Sequence, residues 1–390
     1  RFFGVPIPVW YKLDKNSEPD YKNPILPDIA SLPLDPQAVA PAGYTEAQRN
    51  QPNGFMGDPD VMDTWATSSL SPQINSHWVN DSDRHKALYP ADLRPQAHEI
   101  IRTWAFYTVT KSFLHENSLP WHNIAISGWV VNPDKSKMSK SKGNTVTPEG
   151  LLEQYSADAL RYWAAKARLG ADTIYDEQVF KVGNRLITKL VNVSKFVLMQ
   201  FEQANLNIKD LDNKNLTSVD KSWLASFNNL LDSSLKEFSD FNYAQVLQDT
   251  ESKFWDFCDD YVELVKTRAY QENTQDTGKS ALFTLYHSLN ILVRLFAPVM
   301  PFACEEINTW MGFFEGSVHN APWPKADELK VILGEFGKDM FIASGDTDVF
   351  SAIIDVLNEV RSYKAKRQVS LKTQVTSLKI SCDDATGSYV

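Results

Sequence analysis

Apolar residues recur along this chain in two rhythms. From about residue 181 to 366 they return every three or four positions. Leu186, Leu190, Val193, Val197 and Phe201 form one stripe. Trp223, Phe227, Leu230, Leu231 and Phe238 form a second, with Asp220 or Ser222 as its expected cap. Val246, Leu247, Phe254, Phe257, Tyr261 and Leu264 give a third. Leu282, Leu285, Leu289, Leu292 and Phe296 give a fourth, stopped by Pro298 and Pro301. A period near 3.6 residues predicts amphipathic helices packed as a bundle, with a last helix over 349–366. After it, SLKTQVTSLKIS (370–381) alternates like a strand or a sheet edge.

Residues 60–180 read differently, as alternating helix and strand. QAHEIIRTWAFYTVTKSFL (96–114) predicts a helix with Ile100, Ile101, Trp104, Tyr107 and Phe113 near one side. HNIAISGWVV (122–131) predicts a strand that runs into the polar loop DKSKMSKSKGN. Thr147-Pro148-Glu149 then opens a helix: Thr caps, Pro suits the first helical position, and an acid there complements the dipole. A further helix carries Ala159, Leu160, Trp163, Ala164 and Ala167. Ten of the twenty prolines fall in the first 60 residues. Proline fixes φ and removes a donor, so that stretch reads as a short strand near Val5–Trp10 followed by a long irregular excursion of functional or mobile character. The expected fold class is α/β followed by all-α.

Composition narrows this picture. The chain has 390 residues, 43% hydrophobic and 23% charged. Those values predict two or three globular domains and exclude a wholly disordered chain, a coiled coil and a collagen. No stretch approaches the ~18 apolar residues of a membrane span, so no membrane partner is expected. The N-terminal RFFGVPIPVW has no signal-peptide character. Cys258, Cys304 and Cys382 are isolated and odd in number. This predicts neither a disulfide framework nor bound zinc or any other metal site, and a reducing, cytoplasmic setting. The net charge of −10 counts mildly against a nucleic-acid partner. Two basic clusters count the other way: Lys135, Lys137, Lys140 and Lys142, and Arg361, Lys364, Lys366 and Arg367.

The strongest chemical signal is Lys137-Met138-Ser139-Lys140-Ser141. Such a five-residue string arises by chance in about one chain in ten thousand of this length. It lies between an apolar strand and a capped helix, where ligands gather in parallel α/β sheets. Two ammonium groups three residues apart, with hydroxyls between and after, can close over a polyphosphate and offset the charge that develops as it leaves. From composition alone the same string also reads as a solvated basic turn. Ile100 and Trp104, four apart on one helix face, read either as core or as the wall of a pocket.

KMSKS followed by Gly143-Asn144 resembles the second signature of the class I aminoacyl-tRNA synthetases. Asp60-Val61-Met62-Asp63-Thr64-Trp65-Ala66-Thr67-Ser68-Ser69 resembles their valyl branch, as does Leu93-Arg94-Pro95-Gln96-Ala97-His98-Glu99-Ile100-Ile101-Arg102-Thr103-Trp104. Asp158-Ala159-Leu160-Arg161-Tyr162-Trp163 is common across the isoleucyl, leucyl, methionyl and valyl subclass. Residues 181–366 look like its helical anticodon-binding domain. The resemblance implies residues 1–180 as the second half of a Rossmann-type nucleotide-binding catalytic domain, 181–367 as the anticodon-binding bundle, and 368–390 as the start of a C-terminal extension.

The resemblance also implies roles. Lys137, Met138, Ser139, Lys140 and Ser141 would hold the ATP phosphates, with Lys137 and Lys140 as the catalytic pair. Glu99, with His98 beside it, would contact the adenosine ribose, since a carboxylate can accept from both hydroxyls. Backbone groups of Trp129, Val130 and Val131 would border the adenine. Trp65, Ile100 and Trp104 would wall a slot for valine. Lys181, Arg185, Arg361 and Lys364 would meet the tRNA. The implied substrates are valine, ATP as its Mg2+ complex and tRNA(Val), handled by a monomer. Ala97 stands where many relatives have Gly, which leaves less room near the nucleoside.

None of the seven histidines forms the family's first signature, H-x-G-H. The family's editing domain is inserted ahead of a segment like RFFGVPIPVWY, so residue 1 reads as lying just after it. The chain is therefore expected to be the C-terminal part of a longer enzyme and inactive alone. An isoleucyl or leucyl relative is the nearest alternative, disfavoured by Thr64-Trp65 and Thr103-Trp104. A non-catalytic tRNA-binding helical protein is another, disfavoured by the intact KMSKS.

Overall fold

The computed structural model describes residues 4–138, 147–271, 275–334 and 349–381. It divides into two compact units, Arg1–Gly128 and Trp129–Val390.

In the first unit, β1 (Val5–Pro6) and β2 (Trp10–Lys12) replace the single strand expected over Val5–Trp10. Pro6 and Pro8 have no N–H to give a ladder. Pairing therefore stops at Pro6 and resumes at Trp10. β2 pairs antiparallel with β3 (Phe55–Gly57), and β1 with β4 (Val61–Met62). The irregular excursion between them is tied down by buried Trp10, whose indole Nε1 donates to the carbonyls of Pro36 (3.1 Å) and Val39 (2.8 Å). Three short helices follow: α1 (Thr64–Ser68), α2 (Ser71–Asn75) and α3 (Ser82–Leu88).

A parallel pair completes this unit. β5 (Ala91–Ala97) runs beside β6 (Trp121–Ser127), with Arg94 opposite Ile124 and Ala97 opposite Ser127. The helix expected from residue 96 starts later. Gln96 and Ala97 still belong to the ladder. The chain then makes a 3-10 turn (His98–Ile100) and a π turn (Ile101–Ala105) before the regular α4 (Phe106–Glu116). Apolar spacing identified the helical segment but could not show where strand pairing ends. Ile100 sits at the junction of the two turns (φ −107°, ψ 16°) and not on a regular helix face shared with Trp104.

In the second unit, β7 (Val130–Val131) pairs parallel with β8 (Thr173–Ile174). The strand expected over 122–131 is thus two strands, parted at Gly128. α5 (Pro148–Gln154) starts at the proline the sequence indicated, and α6 (Ala157–Ala165) follows. The remainder is helical. α7 (Glu177–Ala204) is one 28-residue helix, capped by the Asp176 side chain and ended by Asn205 in the left-handed region. Its buried face, Leu186, Leu190, Val193, Val197 and Phe201, is the stripe seen in the sequence.

The second stripe is two helices, α8 (Ser218–Ala225) and α9 (Asn228–Ser239). Thr217, not Asp220 or Ser222, caps α8 by accepting the Asp220 N–H at 3.3 Å. Asp220 is instead fully buried and charge-paired. The third stripe is α10 (Tyr243–Asp256), which runs through a π turn at Phe257–Tyr261 into α11 (Val262–Gln271). Then come α12 (Asp276–Phe296), α13 (Pro301–Met311), α14 (Ala326–Leu333) and α15 (Val349–Lys366). The last of these has the bounds the sequence predicted. The alternating 370–381 forms no strand; it runs exposed as turns and bends. Alternation gives a strand only where a partner edge exists to take its hydrogen bonds.

Two polar contacts tie α6 to the bundle. Buried Asp158 accepts the backbone N–H of Phe302 (3.4 Å) and Ala303 (2.9 Å), which caps the start of α13. The Tyr162 hydroxyl donates to Glu251 on α10 at 2.7 Å. The second helix after the signature loop is therefore anchored to two helices of the bundle. Trp223 is fully buried, as expected for a core residue, and its indole N–H donates to Ser288 Oγ at 2.8 Å.

His287 on α12 gives this bundle an acid sensitivity. Its ring packs 4.3 Å from that of Phe283, and burial, with Arg294 nearby, pushes its pKa from 6.5 down to about 4. The folded state thus favours the neutral ring, and the unfolded state binds the extra proton between about pH 6.5 and 4. Stability falls as pH drops through that window, by at most about 3 kcal/mol from this group. Thermal melts should show His287→Phe losing less stability than wild type between pH 7 and pH 4.5. Parallel losses would contradict the assignment.

Candidate active site

The expected site residues fall in both units. In the first, Asp63 opens α1 by accepting the Trp65 N–H at 2.8 Å. This cap fixes the start of the helix that carries Trp65, which is partly buried. The end of α1 is held from the π turn and α4. Trp104 Nε1 donates to the Ser68 carbonyl at 2.7 Å, and Lys111 Nζ to the Ala66 carbonyl at 2.6 Å. Desolvation lowers the Lys111 pKa. The helix bearing one tryptophan is therefore bonded directly to the indole of the other. Turns with the wider π ladder recur at functional sites because they re-aim a side chain. Here one carries Trp104.

His98 and Glu99 are exposed at the carboxyl end of β5, and Ile100 behind them is partly buried. His98 Nδ1 lies 3.3 Å from the Ser127 carbonyl at the same end of β6. Carboxyl ends of parallel strands are where open α/β sheets bind ligands.

In the second unit, Trp129, Val130 and Val131 form the start of a hairpin-like arm. The Trp129 N–H donates to Asp172 Oδ1 at 2.8 Å, and its carbonyl accepts from Thr173 at 2.8 Å. Val131 is buried and bridges back to Lys137. A tight turn makes this return: Asn132 N–H donates to Ser136 O (2.9 Å), and Lys135 adopts a left-handed φ of 65°. Ser136 also hydrogen-bonds Asp134, which holds that carboxyl below the usual range. The outcome is specific. Lys137 Nζ sits 4.4 Å from the centre of the Trp129 ring, a cation–π contact. Met138, next along, is partly buried. Ser139, Lys140 and Ser141 lie outside the described residues.

The four residues expected to meet RNA are divided. Lys181 and Arg185 are exposed, one turn apart on α7. Arg361 and Lys364 already have partners: Arg361 pairs with Asp260 at 3.1 Å, and Lys364 donates to the Leu371 carbonyl at 2.9 Å. No helix among the described residues is long and apolar enough to cross a membrane.

Sequence reasoning assigned no role to Arg94. It is buried beside Trp104, with its guanidinium carbon 3.4 Å from that ring's centre. A lone Arg in a strand gives no signal of this kind.

The comparisons with known proteins agree with these features. The family profile of class I tRNA synthetases (I, L, M and V) matches residues 1–176, and that of the anticodon-binding domain of tRNA ligases matches residues 220–380. The valine–tRNA ligase of Salinispora tropica is 49% identical over 97% of this chain, and that of Thermobifida fusca 47% over 96%. The chain spans only 44% and 41% of those two proteins. Among solved structures, the leucyl enzyme of Agrobacterium radiobacter K84 bound to tRNA covers 85% of the chain with a TM-score of 0.63 at 20% identity; the chain spans 42% of it. Methionyl-tRNA synthetase of Mycobacterium tuberculosis with methionyl-adenylate covers 70% with a TM-score of 0.55 at 21% identity, and the chain spans 52% of that protein. On the two profile matches and the long alignments with valine–tRNA ligases, the chain belongs to the class I tRNA synthetases of the isoleucine, leucine, methionine and valine group.

Proposed function

We propose that this chain forms part of a cytoplasmic valine–tRNA ligase that acts as a monomer on valine, Mg2+–ATP and tRNA(Val). Residues 1–180 belong to its catalytic domain, 181–367 to its anticodon-binding bundle and 368–390 to an extension beyond it. The observation that carries the reading is the arm from Trp129 to Lys137. It launches an intact KMSKS string from a parallel-strand end with its first lysine already stacked on an aromatic ring. The valyl assignment is supported by the 47–49% identity to the valine–tRNA ligases of Salinispora tropica and Thermobifida fusca.

In the first step the valine carboxylate attacks the α-phosphorus of ATP in line, and pyrophosphate leaves. Such transfers rest on positioning and charge stabilisation, so no side-chain nucleophile is required. Lys137 and Lys140, with the Ser139 and Ser141 hydroxyls and Met138 completing the loop, neutralise the departing diphosphate. Trp129, Val130 and Val131 border the adenine, and Glu99 with His98 engages the ribose. Trp65, Ile100 and Trp104 enclose the valine side chain. In the second step the terminal ribose hydroxyl of the tRNA attacks the valyl carbonyl of the adenylate, forming the ester as the mixed anhydride breaks and AMP leaves. Lys181, Arg185, Arg361 and Lys364 attract the RNA backbone. A charging assay with the complete ligase should load labelled valine onto a tRNA(Val) transcript and leave tRNA(Ile) and tRNA(Leu) uncharged. Preferential loading of either of the others would overturn the valyl assignment.

A further inference from the structure

Arg94 is buried on β5, only 8% exposed, and its Nε and Nη2 groups have no hydrogen-bond partner among the described residues. Burying a charged group without a counter-ion is unfavourable, and the usual remedy is a carboxylate. None serves here. Desolvation alone acts on the group and pushes its pKa down to about 10. What Arg94 does have is two indoles: its guanidinium carbon lies 3.4 Å from the centre of the Trp104 ring and 5.0 Å from that of Trp121. A planar, weakly hydrated guanidinium can stack on such faces, which a lysine ammonium does less well.

Trp104 is thereby held in two ways. Its edge is bonded through Nε1 to Ser68 O on the helix that carries Trp65. Its face is covered by Arg94. The π turn around it replaces regular α geometry with a wider i→i+5 turn. An indole on such a turn needs outside contacts to stay in one plane. We infer that Arg94 is a positioning residue that sets the width of the amino-acid slot by pinning the plane of Trp104 against the Trp65 helix. This rests on the reading of Trp104 as a wall of the valine site.

The test uses the complete ligase and amino-acid-dependent ATP–pyrophosphate exchange. Arg94→Met keeps the stem and removes the stacked cation; Arg94→Lys keeps the charge and removes the plane. A slot that loses its fixed wall should admit one more methylene. The valine-over-isoleucine ratio of kcat/KM should fall about ten-fold in Arg94→Met, and less in Arg94→Lys. KM for ATP should stay within about two-fold, since the slot and not the nucleotide site has changed. In a Trp104→Phe background the Arg94→Met effect should shrink, because the two act as one unit. An unchanged ratio in both Arg94 variants, or KM values for valine and ATP that rise together, would overturn the inference and mark Arg94 as strand filler. If the wild-type ligase fails to use valine at all, the slot assignment falls and the inference with it. That outcome is told apart by the unmutated enzyme alone.

Discussion

Replacing Lys140 by Ala should slow valyl-adenylate formation by about 10²–10³-fold, the range seen when one preorganised group is removed from developing charge. Valine binding should change by less than about two-fold. On the proposed role the two quantities separate, because the lysine would meet the triphosphate as it breaks and not the amino acid. Lys137 should cost less on replacement. Its ammonium is stacked on Trp129 at 4.4 Å, so part of its role is to hold the arm in place. Pre-steady-state adenylate formation with the complete ligase, alongside equilibrium valine binding, measures both effects. Equal losses in rate and in valine affinity would mean that Lys140 supports the fold of the site and not the reaction.

The second large effect concerns stability. Asp220 is fully buried between α8, α11 and α12. It accepts from the Tyr261 hydroxyl at 2.7 Å, from both terminal nitrogens of Arg268 at 2.9 Å, and from Ser280. The Arg268 side chain keeps 22% of its surface exposed, whereas Asp220 keeps none. That asymmetry decides which single change is worse. Arg268→Met strands a carboxylate with no route to water and should cost about 3–5 kcal/mol. Asp220→Leu leaves a guanidinium that can turn outward, so it should cost less. The double variant should be more stable than Arg268→Met alone, since no unpaired buried charge remains. Urea unfolding of the three variants measures this order. Equal midpoints for Arg268→Met and the double variant would contradict it.

The helical bundle was legible in the sequence because each amphipathic helix declares its own buried face. α7 and α15 needed no knowledge of their neighbours. The errors lie where a neighbour decides. Asp220 stands where a cap is plausible, and only the approach of Arg268 and Tyr261 makes it a buried ion. Gln96 and Ala97 open the helix expected over 96–114, yet β6 draws them into a ladder. The alternation at 370–381 lacks an edge to pair with. In the candidate site the signature string stands out because its residues are contiguous in sequence, though only Lys137 and Met138 of it fall among the described residues. Arg94 does not stand out, because its meaning lies in two tryptophans 10 and 27 residues away. The Ser68 carbonyl was equally hidden, being main chain.

The central claim is that this chain supplies a phosphate-clamping loop and a valine-sized slot to one ligase. Pyrophosphate exchange into ATP by the complete enzyme, run in parallel with valine, isoleucine and leucine, tests it most directly. The account predicts rapid exchange with valine and exchange at least about 100-fold less efficient with the two larger amino acids. Exchange driven best by isoleucine or leucine, or none with any of the three, would contradict it.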